Sequence, residues 1–203
     1  MAPMAPVVSK LYCSPSQANF IVRRRPRVIN GGGFVVTNNN SQKVVFKVDG
    51  CGILGVEGEL VLKDSDGESL LLIRRKGGIV QALCINRQWK GYKINFEGDE
   101  KLVFTLKEPV SYIVKKIPVK IMVEPRCNKD WDFEVKGSFQ DRACSIVDSK
   151  GNIVAQVVVN NELEEMRLSK DLYHVVVQPG YDQAFVFGVI AVLDNIHNES
   201  TVC

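Results

Sequence analysis

The chain has 203 residues, of which 45% are hydrophobic and 24% are charged, and its formal net charge is +3. These values are ordinary for a soluble globular protein, and a chain of this length buries a sizeable core without disulfide bonds. A net charge of this size does not by itself indicate a nucleic-acid-binding protein. The six cysteines are widely spaced, with no CxxC pair and no histidine at metal-ligand spacing, so we expect reduced thiols in an intracellular protein.

The chain begins with a proline-rich stretch and then changes to a repeated pattern of strand, polar turn and strand. Residues 1–18 contain Pro3, Pro6 and Pro15, and this composition predicts a flexible leader. Later segments have apolar runs on both sides of a turn rich in Asp, Asn and Gly, which is typical of β-hairpins. These hairpins are predicted at residues 34–48, 60–74 and 145–159.

Further strands are indicated by short runs of β-branched and aromatic residues between turn signals. They are predicted at residues 79–86, 88–96, 102–107, 111–115, 119–123, 132–136 and 172–177. About twelve strands at a spacing of about 8–12 residues is the pattern of an all-β domain. Residues 162–168 fit either a short helix or a strand. Because no linker divides the chain, we predict one domain over residues 19–198, followed by a tail of residues 199–203.

The last apolar segment, residues 184–193 (AFVFGVIAVL), is apolar on every side. It is too short to cross a bilayer, which needs about 20 residues. It is also long for a strand, since strands usually have about 3–10 residues. A break at Pro179 and Gly180 precedes it, and Asp182 suits a helix N-cap. A helix that is apolar all round must be enclosed. We therefore predict a helix over about residues 182–196 inside a closed β-barrel, with Gly188 allowing a close contact with a neighbouring backbone.

Several of these segments together resemble the plant LURP-one-related proteins, whose fold is that of the tubby C-terminal domain. The segments are FEVKGSFQDRAC (133–144), VAQ (154–156), YDQAFVFGVIAVLDNI (181–196), RQWKG (87–91), and residues 34–50 and 60–76. The resemblance covers roughly residues 18–197 and rests on the order and spacing of the segments. It implies a mainly β, tubby C-terminal-like closed barrel of about twelve strands that encloses a C-terminal hydrophobic helix. A basic pair usually follows the VAQ element in the family, but this chain reads VVVNNELEEM there and departs from the family at this point.

Short basic clusters are the strongest functional signal. Residues 1–100 contain 14 Lys and Arg against 9 Asp and Glu, whereas residues 101–203 contain 12 against 14. Basic residues near an anionic leaflet gain about 1 kcal/mol each. The resemblance adds that tubby domains bind phosphatidylinositol bisphosphate and that phospholipid scramblases are similar in fold. The candidate lipid-headgroup residues are Arg23, Arg24, Arg25, Arg74, Arg75, Lys76, Arg87, Lys90, Lys115 and Lys116. The alternative is that these residues are solvated strand ends and edge protectors.

Catalytic and metal sites are not indicated. The cluster at residues 64–68 (DSDGE) does not match the Gly and Glu positions of a calcium loop and is typical of a hairpin turn. His174 falls in a predicted strand and His197 just after the helix, and neither belongs to a nucleophile motif. Asp182 and Asp194 are expected at opposite ends of the helix. We therefore predict no catalytic residue, no metal and no cofactor.

We expect a non-enzymatic binding or regulatory module that is monomeric, has no transmembrane segment and binds an anionic phospholipid surface, with a protein partner as a further option. The expected location is the cytoplasm, the membrane periphery or the nucleus. The resemblance implies a relation to tubby-like membrane-tethered transcription regulators and a place in plant defence. One alternative is a nucleic-acid-binding transcriptional regulator that uses the run at residues 23–27, which the absence of a basic recognition helix disfavours. The other is a protein-interaction scaffold with no lipid ligand.

Overall fold

The described chain alternates short strands with tight turns and ends in one helix. The computed structural model describes residues 5–26, 32–51, 58–76, 87–95, 98–108, 118–125, 130–159, 171–197 and 199–201. The strands are β1 (Ala18–Arg25), β2 (Gly33–Asn38), β3 (Val44–Asp49), β4 (Glu59–Asp64), β5 (Ser69–Lys76), β6 (Gln88–Ile94), β7 (Glu100–Lys107), β8 (Val119–Val123), β9 (Phe133–Ser138), β10 (Ala143–Asp148), β11 (Ile153–Val158) and β12 (Leu172–Val177). The helix is α1 (Gln183–Ile196).

The twelve described strands form a closed antiparallel barrel. Each strand pairs with the next along the chain, and β12 returns to pair with β1, so that no edge is left open. The predicted mainly β barrel with a C-terminal helix is therefore confirmed. The sequence analysis did not predict β1, because its three arginines were read as a basic cluster. The predicted elements at residues 79–86, 111–115 and 162–168 lie outside the described residues.

The helix fills the barrel, as its apolar composition requires. Its residues from Ala184 to Asp194 are all buried. Phe187 packs between Phe20 and Phe46, with ring centroids 5.2 and 5.4 Å away, and Phe185 lies 4.8 Å from Phe133. These contacts confirm the prediction of an enclosed helix.

The start of α1 is capped as the sequence predicts. The Asp182 Oδ1 atom accepts hydrogen bonds from the backbone N–H groups of Ala184 and Phe185, at 3.0 and 3.3 Å. Gly188 also permits a close approach, because a Cβ atom at this position would lie 2.9 Å from Leu71 Cδ1. The close neighbour is thus a side chain of β5.

The N-terminal segment closes the barrel where α1 begins. Val8 is buried, and Asp182 Oδ2 accepts hydrogen bonds from the N–H groups of Val8 and Ser9 at 2.7 and 2.9 Å. The Tyr12 ring lies 5.3 Å from the Phe46 ring. The prediction of a loose leader is therefore wrong for residues 5–17, which pack against the barrel because the buried helix cap supplies a carboxylate for their backbone.

The cysteines differ in part from the sequence-based expectation. Cys13 and Cys144 are free thiols, but Cys51 is disulfide-bonded, and its partner lies outside the described residues. The expectation of six reduced thiols is therefore wrong for Cys51. A widely spaced cysteine pair carries no sequence signal of its own, because the fold decides which thiols meet.

The two ends of the barrel differ in the residues and segments that lie there. We call the end at which α1 finishes the basic end, because β1, β5 and β7 finish there with Arg25, Lys76 and Lys107. The opposite end holds Asp182 and the N-terminal segment. Among the described residues no helix is long and apolar enough to span a membrane.

Candidate basic surface

The strand order brings the described basic clusters of the first half to the same end of the barrel, but not to one side of it. Odd-numbered strands finish at the basic end and even-numbered strands begin there, so Arg25, Lys76 and Gln88 all lie near this rim. However, β1 and β7 are six strands apart in either direction around the barrel. Arg23 therefore lies across the rim from Lys107, and the predicted clusters do not form a single patch.

The arginines of β1 are mostly engaged with the protein itself. Arg24 is nearly buried, and its Nε atom lies 3.3 Å from Asp194 Oδ1. Arg25 donates to the backbone oxygen of Val48 at 2.7 Å and to Asp49 Oδ1 at 2.6 Å. Arg23 is exposed and forms no ion pair with a described residue. Two of the three predicted headgroup residues on this strand are thus occupied.

The pairing of Asp49 has an electrostatic consequence. Burial raises the pKa of Asp49, but hydrogen bonds from Lys63 and Arg25 outweigh it, so the pKa lies below its ordinary value. The Lys63 Nζ atom lies 2.9 Å from Asp49 Oδ2. Arg25 and Lys63 therefore neutralise a carboxylate of the fold and are poorly placed to serve an external anion.

The three basic residues of the cluster at 74–76 do not all face the same way, because successive side chains of a strand point to opposite faces of the sheet. Arg74 faces outward between Glu59 and Glu100, whose hydrogen bonds raise the pKa of this guanidinium above its ordinary value. Arg75 turns the other way, and its Nε atom lies 3.5 Å from Glu108 Oε1, which also accepts the indole N–H of Trp89 at 2.7 Å. Both arginines are therefore engaged with carboxylates of the protein itself.

Four exposed cations lie along one stretch of the rim. In the strand register Lys76 is opposite Gln88, Gln88 is opposite Lys107, and Lys107 is opposite Lys120. Arg87 directly precedes Gln88. We call Lys76, Arg87, Lys107 and Lys120 the basic row. All four are exposed, and none forms an ion pair with a described residue.

The basic row is long enough to meet several anionic groups at once. Adjacent strands are about 4.8 Å apart, so the three steps from β5 to β8 span about 14 Å. Like charges directly opposite each other on neighbouring strands are destabilising. Lys107 and Lys120 are such a pair, although Glu134 lies opposite Lys120 on its other side. An external anion bound beside Lys107 would reduce the repulsion between the two lysines.

The remaining predicted residues lie beside the row or cannot be placed. Lys90 is half-buried on β6, two residues further from the rim than Gln88, opposite Arg74 and Thr105. Lys115 and Lys116 lie outside the described residues. Lys107 and Lys120 are not among the residues predicted from the sequence, because neither stands next to another basic residue in the chain. The signal that could have found them is the side-chain parity of paired strands, which places them on the outer face with Lys76.

The described thiols and histidines do not form a reactive group. Burial raises the pKa of Cys144 to about 12, so its thiol stays protonated and unreactive at neutral pH. Burial also raises the pKa of Cys13. His197 caps the end of α1 and stacks on Phe139, with centroids 5.8 Å apart, and burial lowers its pKa.

Comparison with known proteins gives a consistent family assignment. The LURP-one-related family profile matches residues 18–194. The chain is 56% identical to protein LURP-one-related 6 of Arabidopsis thaliana, over 98% of this chain and 100% of that protein. It is 51% identical to protein LURP-one-related 16 of the same plant, over 98% and 95% of the two chains. An X-ray structure of an Arabidopsis thaliana protein has the same fold, with a TM-score of 0.67 and 23% identity over 96% of this chain and 99% of that one.

Proposed function

This chain belongs to the LURP-one-related family, and from that premise we propose that it is a non-enzymatic binding module that docks on an anionic phospholipid surface. The observation that carries the proposal is the basic row. Three exposed lysines lie in register on one stretch of the rim, the exposed Arg87 directly precedes Gln88 between them, and none of the four forms an ion pair with a described residue. Basic residues close to an anionic leaflet contribute about 1 kcal/mol each, so four in a row suffice for reversible binding.

The fold-level likeness supports a phosphoinositide as the anionic lipid. Tubby domains as a family bind phosphatidylinositol bisphosphate, and phospholipid scramblases have a similar fold. This support is analogy, since unrelated functions recur on one fold. On this proposal the protein works at the cytoplasmic membrane periphery, with a role in plant defence responses as the family resemblance implies.

The enclosed helix is not available to contact the lipid, so another part of the protein must do so. Because α1 is buried along its length inside the barrel, it is the core of the fold. Docking therefore uses the rim, and the protein is held by charge without insertion of the helix. This separates the proposal from one in which the last apolar segment anchors the chain.

The nucleic-acid alternative loses its main support. It depended on the arginine run of residues 23–27, yet Arg24 and Arg25 are engaged with Asp194, Val48 and Asp49. What is left of that run among the described residues is the single exposed Arg23.

Charge reversal of the row tests the proposal. We expect the triple variant Lys76→Glu, Lys107→Glu, Lys120→Glu to lose most of its co-sedimentation with vesicles that contain phosphatidylinositol bisphosphate. The matched control is Lys43→Glu, Lys101→Glu, Lys150→Glu, which changes the net charge equally at three exposed positions of the opposite end. This control should bind nearly as well as the wild type.

Two results would refute the lipid version. One is the absence of wild-type binding at low salt. The other is an equal loss of binding in both triple variants, which would indicate net charge alone. Wild-type capture of a protein partner without vesicle binding would favour the scaffold alternative.

A further inference from the structure

The C-terminal tail crosses the basic end of the barrel and is held there by its backbone. Thr201 N–H donates to Asp194 Oδ2 at 2.7 Å, and Gly33 N–H donates to the backbone oxygen of Ser200 at 2.7 Å. The Asn195 amide donates to the Thr201 oxygen at 2.8 Å. Residues 199–201 are therefore held at this end of the barrel by backbone hydrogen bonds as well as by the side chain of Glu199.

The Glu199 carboxylate forms ion pairs with two arginines from different parts of the barrel. Its Oε2 atom forms ion pairs with Arg24 Nη2 and with Arg142 Nη2, the latter at 2.8 Å. The exposed fractions of the three side chains are 10% for Arg24, 9% for Arg142 and 12% for Glu199. The group is thus mostly desolvated, and each of its side chains keeps a small solvent-exposed part.

The same arginine lies against a buried tyrosine. Arg142 lies over the Tyr173 ring, with its Cζ atom 4.4 Å from the centroid. The Tyr173 hydroxyl is fully buried and has no hydrogen-bond partner among the described residues. Buried polar groups are rarely left without partners, and a single one commonly marks a place for another molecule.

We propose that Arg24 and Arg142 form an anion site that Glu199 occupies in this structure, and that its ligand is a phosphomonoester group. Two guanidinium groups match the geometry of phosphate oxygens, and a phosphate dianion offers more acceptors than a carboxylate does. Glu199 acts as a built-in competitor, so the site takes its ligand only when the carboxylate gives way.

This site is separate from the basic row. Arg24 belongs to β1 and Arg142 precedes β10, whereas the row runs from β5 to β8. The inference does not rest on lipid docking. A phosphomonoester reaches the site either as a small soluble molecule or as the headgroup of phosphatidate, and the experiment below distinguishes the two.

The test removes the competing carboxylate and measures phosphate binding by calorimetry at constant ionic strength. We expect Glu199→Gln to bind inorganic phosphate at least about tenfold more tightly than the wild type, which corresponds to about 1.4 kcal/mol. Asp171→Asn is the matched control, because Asp171 Oδ1 lies 3.8 Å from Arg24 Nη1 on an exposed side chain. It changes the charge equally without opening the site and should bind like the wild type.

A second variant shows which groups bind the phosphate. Adding Arg142→Gln to Glu199→Gln should abolish the gained affinity. Equal phosphate affinity in Glu199→Gln and Asp171→Asn, or a gain that survives loss of Arg142, would overturn the proposal. If Glu199→Gln does not fold, saturating phosphate must shift the side-chain Nε NMR signals of Arg24 and Arg142 in the wild type, and unchanged signals overturn it.

The source of the ligand follows from one further comparison. Glu199→Gln is combined with the triple reversal of the basic row, so that general lipid docking is lost. Binding of glycerol 3-phosphate alone would assign a soluble ligand to the site, and binding of phosphatidate vesicles would assign a headgroup. Both results support the proposal, and binding of neither overturns it.

Discussion

At the scale of single residues, Gly91 links the wall of the barrel to the helix. It lies opposite Phe104 on the neighbouring strand, and the Phe104 ring occupies the space that a side chain at position 91 would need. Phe104 in turn packs edge-on against Phe185 of α1, with centroids 5.5 Å apart. The absence of a side chain at position 91 therefore decides where an aromatic ring of the core lies.

Gly91→Ala should destabilise the fold, because the methyl group forces the Phe104 ring out of its place. Overpacking of a core costs about 1–3 kcal/mol. Gly188→Ala is the control, because the atom it meets is the flexible end of Leu71 and the helix gains about 1 kcal/mol from alanine. Urea unfolding should rank Gly91→Ala clearly below both Gly188→Ala and the wild type. Equal stability of the two variants would contradict this packing account.

The basic residues show how far single positions could be read from the sequence. Arginine runs were visible, but Arg24 and Arg75 face into the barrel. Their partners Asp194 and Glu108 are distant in the sequence. Lys107 and Lys120 were visible only as isolated charges. Whether a basic side chain is exposed or forms an ion pair depends on the register of the strands. A local sequence pattern does not reveal that register.

At the scale of elements, the β10–β11 hairpin is joined to the start of the helix by one carboxylate. Asp148 accepts hydrogen bonds from the N–H groups of Lys150 and Asn152 at 2.9 and 2.8 Å, which is an Asx-type turn. The Tyr181 hydroxyl donates to its Oδ2 atom at 3.1 Å. Asp148 thereby fixes the turn and the chain segment that leads into α1.

These bonds make the stability of the fold depend on pH. Burial raises the pKa of Asp148, but the hydrogen bonds from Asn152, Tyr181 and Lys150 outweigh it, and the pKa lies below its ordinary value. The ionised form is thus favoured in the folded state. Its contribution is present above the unfolded-state pKa and is lost as the pH falls through the folded-state pKa.

Asp148→Asn should lower the free energy of unfolding at neutral pH by about 1–2 kcal/mol, because hydrogen bonds to a charged group are lost. It should also flatten the decline of stability in acid, measured by urea unfolding from neutral pH to about pH 2. Asp141→Asn removes the same charge from the exposed β9–β10 turn and should leave the acid decline almost unchanged. An acid decline as steep in Asp148→Asn as in the wild type would count against the assignment.

The N-terminal segment marks the limit of prediction at this scale. Hairpins and the helix were predictable, because alternation, turn residues and the Asp182 cap are local signals. The packing of residues 5–17 was not, because its key contact joins Val8 to Asp182, 174 residues away. A proline-rich composition cannot distinguish a loose leader from a strap held by backbone hydrogen bonds.

At the scale of the whole molecule, the apolar helix and the barrel of strands each require the other to form a stable fold. A helix without a polar face needs a complete wall, and a twelve-stranded barrel needs something wider than its own side chains to fill it. That mutual requirement is why the architecture could be predicted from the sequence. The distribution of charge around the rim could not, because it depends on which strands are neighbours and on their register.

The central claim is that the protein meets a membrane with its charged rim while the helix remains enclosed. The most direct measurement is wild-type co-sedimentation with phosphatidylinositol bisphosphate vesicles as the sodium chloride concentration rises. Exposed charges are screened beyond about 8 Å at physiological ionic strength, so we predict binding at low salt that falls steeply and disappears in high salt. Binding that persists in high salt would indicate apolar insertion, and no binding at low salt would remove the lipid surface as partner. Either result would contradict the claim.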